Sequence, residues 1–390
     1  MIPKKKIVND PIHGFIDIPA GIVYDLLEHP WMQRLRNIKQ LGLSHLVYPG
    51  ACHSRLGHAL GAMHLMKEAI ASLRAKGHDI TNNEVEAALC AILLHDIGHG
   101  PFSHTLESAI VEKVHHEQLS LLFMKQLNDR FGGQLDTAIA IFEGTYKKRF
   151  LHQLVSGQLD VDRLDYLLRD SFFSGVAEGM VGVERILKML DVVNDELVVE
   201  AKGIYSIEKF LISRRLMYWQ VYLHKTGIAA DRLLLGILSR ARTLMHNQVP
   251  LFASPALAYF LKESPALCAF ESGEALRLFA LLDDSDIDCA IKVWTQQDDA
   301  TLSNLSRMLV HRRLPKIELR DRPFEAGVLQ QVDPIWHGEI SNKGYESGSE
   351  KIKIKMNNGA LRDIYEVSDI LNSQAFSKAT KRYYLCRLRE

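Results

Sequence analysis

The sequence has no surplus of charge: Lys plus Arg and Asp plus Glu each number 47, so the formal net charge is zero. Without a basic excess there is no bulk attraction to nucleic acid or to an anionic membrane; any anion site has to be local, and no strong nucleic-acid binding is expected. Thiols are scarce. Cys52, Cys90, Cys268, Cys289 and Cys386 are odd in number, widely spaced and form no CxxC pair. That argues against a disulfide framework and fits reduced thiols in a cytoplasmic protein. Long hydrophobic runs are missing as well. The longest clean one, Ala87 to Leu94, is far too short to cross a bilayer, and the basic start Met1 to Lys6 has no apolar segment behind it to make a signal peptide. The expectation is a soluble, cytoplasmic chain with no membrane partner. No internal repeat or low-complexity tract is evident.

What is present is ordinary in bulk and unusual in one place. At 390 residues and 47% apolar content the chain is globular. It has about two to three times the usual domain length, enough for one large core with additions or for two domains. Histidine is the exception: nine of 17 lie between His53 and His116, where even spreading would place about three. Lone histidines are common in structural roles, but a cluster beside acids suggests metal ligation or proton transfer.

Up to about residue 310 the pattern is helical. Tyr24 to Leu41, Ala59 to Lys76, Glu84 to Leu94, Glu117 to Leu127 and Ser206 to His224 carry apolar residues at three- and four-residue steps. Thr81 with Glu84 has the spacing of a capping box, and Gly98, Gly100 and Pro101 stop the helix that follows. His95 and Asp96 thus fall in the last turn of a mainly apolar helix, where two polar side chains need a shared partner such as a cation. Beyond Lys316, Ile317 to Arg320 and Lys351 to Met356 alternate, and Asn357-Asn358-Gly359 signals a turn, so a small sheet is expected near the C-terminus. The lysine row of the second segment reads as the solvated face of an edge strand.

Three segments supply metal-type ligands: His58, the pair His95-Asp96, and the run Asp160-Val-Asp162-Arg-Leu-Asp165-Tyr166. Two imidazoles with two carboxylates suit Mn, Fe, Ni, Zn or Mg better than a thiolate-loving structural zinc. Asp162, Asp165 and Tyr166 share one helical face while Asp160 points elsewhere, so spacing leaves the ligand of that run open.

At these residues the sequence resembles the HD-domain phosphohydrolases, in the branch of the sterile-alpha-motif/HD-domain dNTP triphosphohydrolase of animals and its bacterial relatives. The resemblance rests on an ordered series over roughly residues 7 to 225. It comprises Asn9-Asp-Pro-Ile-His-Gly14, Gln33-Arg-Leu-Arg36 through Gly42, Tyr48 to Ala51, His53-Ser-Arg-Leu-Gly-His58, His95 to His104, His116-Glu117, Asp160 to Tyr166, Arg169-Asp170 and Tyr222 to Lys225. It implies a mainly α fold: a helical HD domain over residues 1–230, then a smaller mixed α+β region over 231–390.

The same resemblance implies roles for single residues. His58, His95, Asp96 and Asp162 become the metal ligands, and such an ion can lower the pKa of a coordinated water and neutralise phosphate oxygens. His99, His104 and His116 match positions around the phosphates. His104 resembles a general acid for the leaving oxygen, with Glu107 standing where the family carries aspartate. Arg55 and Arg163 resemble phosphate contacts, Arg163 replacing a lysine, so charge is kept but donor geometry is not. Arg214, Tyr218 and Tyr222 form a stripe at i, i+4 and i+8, whose outer two match substrate-contacting positions. Gln40, Leu41, Tyr166 and Asp170 resemble sugar-reading residues, implying a preference for deoxyribose. Asn9, Gln33, Arg36, His224 and Lys225 match residues that bind an activating nucleotide between subunits, with Glu28 in place of an aspartate. A homo-oligomer, dimer or tetramer, is implied. The expected activity is metal-dependent conversion of a deoxynucleoside triphosphate to deoxynucleoside and triphosphate. The alternatives are a phosphatase of the same superfamily acting on nucleoside monophosphates or another phosphoester, and a non-catalytic nucleotide- or single-strand-binding regulator.

Overall fold

The computed structural model describes residues 6–102, 114–263, 265–342, 351–371 and 380–388. Helices dominate, as the sequence pattern predicts. Helix Arg55–Ala75 is the central one. It is buried along most of its length because apolar residues occupy nearly all its faces, and it packs between Asn82–Leu94 and Val161–Ser174. The capping box is present: Thr81 Oγ1 accepts from the Glu84 amide at 3.2 Å, and Glu84 accepts from the Thr81 amide at 2.8 Å.

Three small sheets appear among the described residues. Strands β1 (Lys6–Asp10) and β2 (Gly14–Ile18) make an antiparallel hairpin. A four-stranded sheet has the order β3-β4-β7-β8, from Leu190–Val193, Glu196–Glu200, Lys353–Lys355 and Leu361–Asp363. A three-stranded sheet has the order β5-β9-β6, from Lys316–Arg320, Thr380–Arg387 and His337–Asn342. The expected turn follows β7, with Gly359 at φ 81° and the Asn358 side chain accepting from the Ala360 amide.

Several expectations need correction. The segment Tyr24 to Leu41 is not one helix. It breaks into Ile22–Glu28, Pro30–Gln33 and a 3-10 turn Arg34–Asn37, because Pro30 has no amide hydrogen to give and holds His29 extended at ψ 137°. Ser206 to His224 is α-helical only to Met217. Tyr218–Tyr222 then widens into a π turn, closed by the Leu223 amide donating to Tyr218 O at 2.7 Å. The helical reading up to 310 also passes over β1 to β4. Finally, β7 is not an edge strand. It runs parallel to β4 and antiparallel to β8, and its lysines pair with acids of the neighbouring hairpin, Lys353 with Glu196 and Lys355 with Asp191 at 2.6 Å.

Residue 230 lies inside the continuous helix Lys225–His246, and the main hydrophobic cluster draws on both sides of it. The later part of the chain also reaches back. Leu282 O accepts from Arg34, while the Asp284 carboxylate accepts from the amides of Lys39 and Phe102. No helix among the described residues is long and apolar enough to cross a membrane.

Candidate functional site

Three helices deliver the cluster. His58 sits in the first turns of Arg55–Ala75, His95 is the residue that ends Asn82–Leu94, with Asp96 next to it, and Asp162 lies in the first turn of Val161–Ser174. Asp162 Oδ1 is 3.0 Å from His58 Nε2 and 3.4 Å from His95 Nε2. Asp96 Oδ1 is 3.4 Å from both His95 Nε2 and His99 Nε2. The other Asp96 oxygen is 3.9 Å from His58 Nε2 and is paired with Arg55 at 2.6 Å. Ligand atoms of His58, His95 and Asp162 lie within 4.8 Å of one another, the spacing a metal ion needs. Of the three aspartates left open by spacing, Asp162 is the one facing these nitrogens. Asp160 caps its helix by accepting from the Arg163 amide at 2.7 Å, and Asp165 lies on the far side of His58.

The imidazole tautomers follow from their partners. His58 Nδ1–H donates to Asp165 at 2.7 Å, and His95 Nδ1–H donates to Ile92 O at 2.6 Å. Both Nε2 atoms therefore present lone pairs inward, and both are buried without a hydrogen-bond partner. Such a pair of orphaned acceptors is costly unless something electropositive sits between them. With protein groups alone that something is a proton. Burial pulls the His58 value down, but the adjacent Asp162 and Asp165 carboxylates outweigh it and raise it to about 10. His95 is raised as well, burial being outweighed by Asp96 and Asp162. Carboxylates that hold protons on two imidazoles suit a divalent cation equally, so this donor set fits one. His99 behaves in the opposite way: burial and then the Arg55 charge lower it to about 3, leaving it neutral.

The turn after His95 is rigidly built. Ser120 Oγ donates to His95 O at 2.7 Å and accepts from the Gly98 amide at 3.0 Å. The buried Arg34 guanidinium donates to Ile97 O at 2.8 Å and His99 O at 2.9 Å. A Cβ on Gly98 would stand 2.3 Å from His116 O and from the Ser120 amide nitrogen, so only glycine fits there. Beside the cluster opens a cavity of about 230 Å³, whose lining includes His95, Asp96 and Asp162 together with His116, Glu117 and His152. A larger one, about 790 Å³ near Met245 and Lys262, has no carboxylate in its lining.

Known proteins show the same arrangement of sequence. The HD domain family matches residues 55–170, and the HD associated region matches 181–248. A crystal structure of a phosphohydrolase from Bacteroides thetaiotaomicron is 49% identical, with a TM-score of 0.94, and covers 99% of this chain and 100% of its own. The chain belongs to the HD-domain phosphohydrolases. An uncharacterized Bacillus subtilis protein, YwfO, is 30% identical over 98% of this chain and 93% of its own. The human deoxynucleoside triphosphate triphosphohydrolase SAMHD1 is 30% identical over 60% of this chain and 44% of its own, so the match spans less than half of that protein's length.

Within this HD fold the other expected residues fall into groups. His99 and His116 stack at 3.9 Å between ring centres. His104 and Glu107 lie outside the described residues. Arg55 is held by Asp96, and Arg163 turns to Gly157 O at 2.7 Å and to Asp160 at 3.2 Å. Arg214 donates to Gln158 at 3.3 Å. Tyr166, Tyr218 and Tyr222 form edge-to-face contacts, with Tyr166 to Tyr222 at 6.1 Å and Tyr218 to Tyr222 at 5.2 Å. Asp170 is buried and accepts from Tyr222 Oη and from His53, each at 2.8 Å. Gln40 has its amide bonded to His53 O and its Oε1 buried without a partner, and Leu41 packs on the core. Asn9 pairs with Phe15 across the hairpin, Gln33 accepts from Arg36 at 2.6 Å, and His224 caps the helix that starts at Lys225. Sequence reasoning assigned no role to Arg34, Ser120 and Gly61, or to the network of Asp10, His13, Asp165 and Arg169. Asp165 carried a signal through the face it shares with Asp162, and Asp10, His13, Arg34 and Arg169 stood inside the motif series without a role of their own.

Proposed function

We propose that this HD phosphohydrolase hydrolyses deoxynucleoside triphosphates to deoxynucleoside and inorganic triphosphate. The observation that carries the hydrolytic centre is the pair of buried, unpartnered Nε2 atoms of His58 and His95 converging on Asp162 beside an open cavity. His58, His95, Asp96 and Asp162 would hold a divalent Mn, Fe, Ni, Zn or Mg ion. Such an ion supplies a water of lowered pKa and neutralises phosphate charge.

The chain's own groups do the rest. Arg55 fixes Asp96 and adds positive charge next to the phosphates, and Arg163 and Arg214, bonded here to Asp160 and Gln158, would add theirs. Neutral His99, stacked on His116, can donate a hydrogen bond to a phosphate oxygen without needing to be charged. Oxygen from water adds to the α-phosphorus, the bond from that phosphorus to the 5′ oxygen breaks, and His104 would give the departing oxygen its proton, Glu107 standing in the sequence where the family carries aspartate. Gln40, Leu41, Tyr166, Asp170 and Tyr222 would form the sugar side, where the Tyr166–Tyr222 contact and the Asp170 carboxylate would read the 2′ position. Residues 1–230 thus carry the chemistry and 231–390 brace it. Asn9, Gln33, Arg36, His224 and Lys225 form the activating nucleotide site of a homo-oligomer.

The test is product analysis of metal-reconstituted protein with each of the four dNTPs, singly and mixed. Equimolar deoxynucleoside and triphosphate is the expected outcome, and turnover only in mixtures marks the activator. Release of orthophosphate from monophosphates alone would replace this reading with a phosphomonoesterase. The double variant His95→Ala/Asp96→Ala should lose turnover while keeping its circular dichroism spectrum; retained activity there would reject the centre.

A further inference from the structure

The sequence motif Asn9-Asp-Pro-Ile-His-Gly14 has so far been given a role only through Asn9, yet its other polar residues point inward. Asp10 and His13 form the turn of the β1–β2 hairpin, and their side chains are only 6% and 7% exposed. Asp10 Oδ1 accepts from the amides of Ile12 and His13, each at 2.9 Å, which shapes the turn. Asp10 Oδ2 accepts from Arg169 at 2.8 Å. Arg169 in turn grips Asp165 with two parallel bonds of 2.9 Å, and His13 Nε2 lies 2.7 Å from Asp165 Oδ1. The remaining contact of Asp165 is His58 Nδ1, at 2.7 Å.

Asp165 is completely buried. Its two oxygens face two guanidinium nitrogens of Arg169 and a ring nitrogen each of His13 and His58, so the geometry sets it up as an acceptor. A carboxyl oxygen that accepts from His58 Nδ1 fixes the proton on that nitrogen and thereby keeps the Nε2 lone pair aimed at Asp162 and His95. Room for it exists only because residue 61, one turn after His58, is glycine: a Cβ at Gly61 would lie 1.9 Å from Asp165 Oδ1.

We infer that Asp165 is a positioning residue for His58, and that the Asp10–His13 turn completes it, so cation affinity depends on the docked N-terminal hairpin. The inference rests on the metal reading above and adds a dependence which that reading lacks. Bonds across 152 and 159 positions of sequence make the hairpin a distant support of one ligand. Motion of the hairpin, by a partner or a nucleotide near Asn9, would be felt at Nε2 through three hydrogen-bonded side chains.

The experiment is Mn²⁺ titration of the full-length protein, read as free Mn²⁺ by electron paramagnetic resonance, alongside the Tm of the metal-free form. Asp165→Asn turns an amide NH2 toward surrounding donors and should weaken Mn²⁺ binding by about 10- to 100-fold, the usual effect of losing such a partner. Asp10→Asn combined with His13→Ala removes both ties from the hairpin and should weaken it by about tenfold. His13→Gln alone, which keeps a donor, should stay near the parent. A merely structural role would lower the Tm and leave the affinity of the folded fraction unchanged; parental affinity in Asp165→Asn and in the hairpin double variant overturns the inference. Should Asp165→Asn not fold, the hairpin variants decide. If the parent binds Mn²⁺ no better than His95→Ala/Asp96→Ala, the metal reading itself falls and takes this inference with it.

Discussion

Two glycines on one helix should respond to the same substitution with opposite signs. Gly57 and Gly61 both lie in Arg55–Ala75, four residues apart, and both face Arg169. A Cβ added at Gly57 would meet Arg169 at 3.6 Å, an ordinary contact. Gly57→Ala should therefore gain the helix preference of alanine and be neutral or stabilising by up to about 1 kcal/mol. At Gly61 the added carbon would stand 1.9 Å from Asp165 Oδ1 and 2.3 Å from Arg169, both at the centre of a buried ion pair. Neither can retreat without abandoning His58, His13 or Asp10. Parting a buried pair costs about 3–5 kcal/mol, far above the propensity gain. With an unfolding entropy of about 2.1 cal/mol/K per residue over 390 residues, a loss of 3 kcal/mol lowers Tm by about 4 °C. Differential scanning fluorimetry of both metal-free variants reads this directly. Equal Tm values for Gly57→Ala and Gly61→Ala would refute the steric argument and with it the rigidity assigned to the Asp165–Arg169 pair.

Glu84 offers a pH test away from the site. Burial opposes its ionisation, but hydrogen bonds from Lys148, Thr81 and Tyr146 prevail and bring its value down to about 2, from 4.5. A lowered carboxyl contributes stability that is full above pH 4.5 and fades as the pH falls toward 2, so Glu84→Gln should lose about 2 kcal/mol at pH 7 and nothing at pH 2. Urea titrations across that range measure the gap. Arg34→Ala leaves three carbonyl oxygens, of Ile97, His99 and Leu282, without their donor and should cost at least about 3 kcal/mol, again by urea titration. Gly98→Ala should cut turnover by more than about tenfold, because displacing Ser120 or the backbone at His116 moves His95; unchanged kcat would contradict that.

The sequence discloses what depends on near neighbours. The Thr81–Glu84 box and the Asn357-Asn358-Gly359 turn are set within three or four residues, and both stand where expected. The ligand types were legible because two imidazoles and acids gather in few places, and the structure brings His58, His95 and Asp162 together. The break at Pro30 was legible in principle, since proline restrains the residue before it. Its apolar spacing nevertheless mimicked a continuous helix. The place of β7 inside its sheet was not legible: its parallel neighbour β4 lies some 155 residues earlier, from Val198 to Lys353. Nor does any local pattern reveal the π turn at Tyr218–Tyr222, which swings Tyr222 toward Asp170, or the bonds that converge on Asp165 from the distant hairpin.

The reach of Leu282 and Asp284 back to Arg34, Lys39 and Phe102 has a consequence for synthesis. A ribosome that has released its first 230 residues has already exposed every donor proposed for the cation, and Arg34 and Ser120 beside the loop after His95, but not Leu282 and Asp284, which hold Arg34 and Phe102 in place. Strand β4 likewise waits for Ile354 to emerge before its open side is covered. The nascent polypeptide therefore carries its reactive groups early and part of its scaffold late, and an ion met during translation encounters donors whose support is still incomplete.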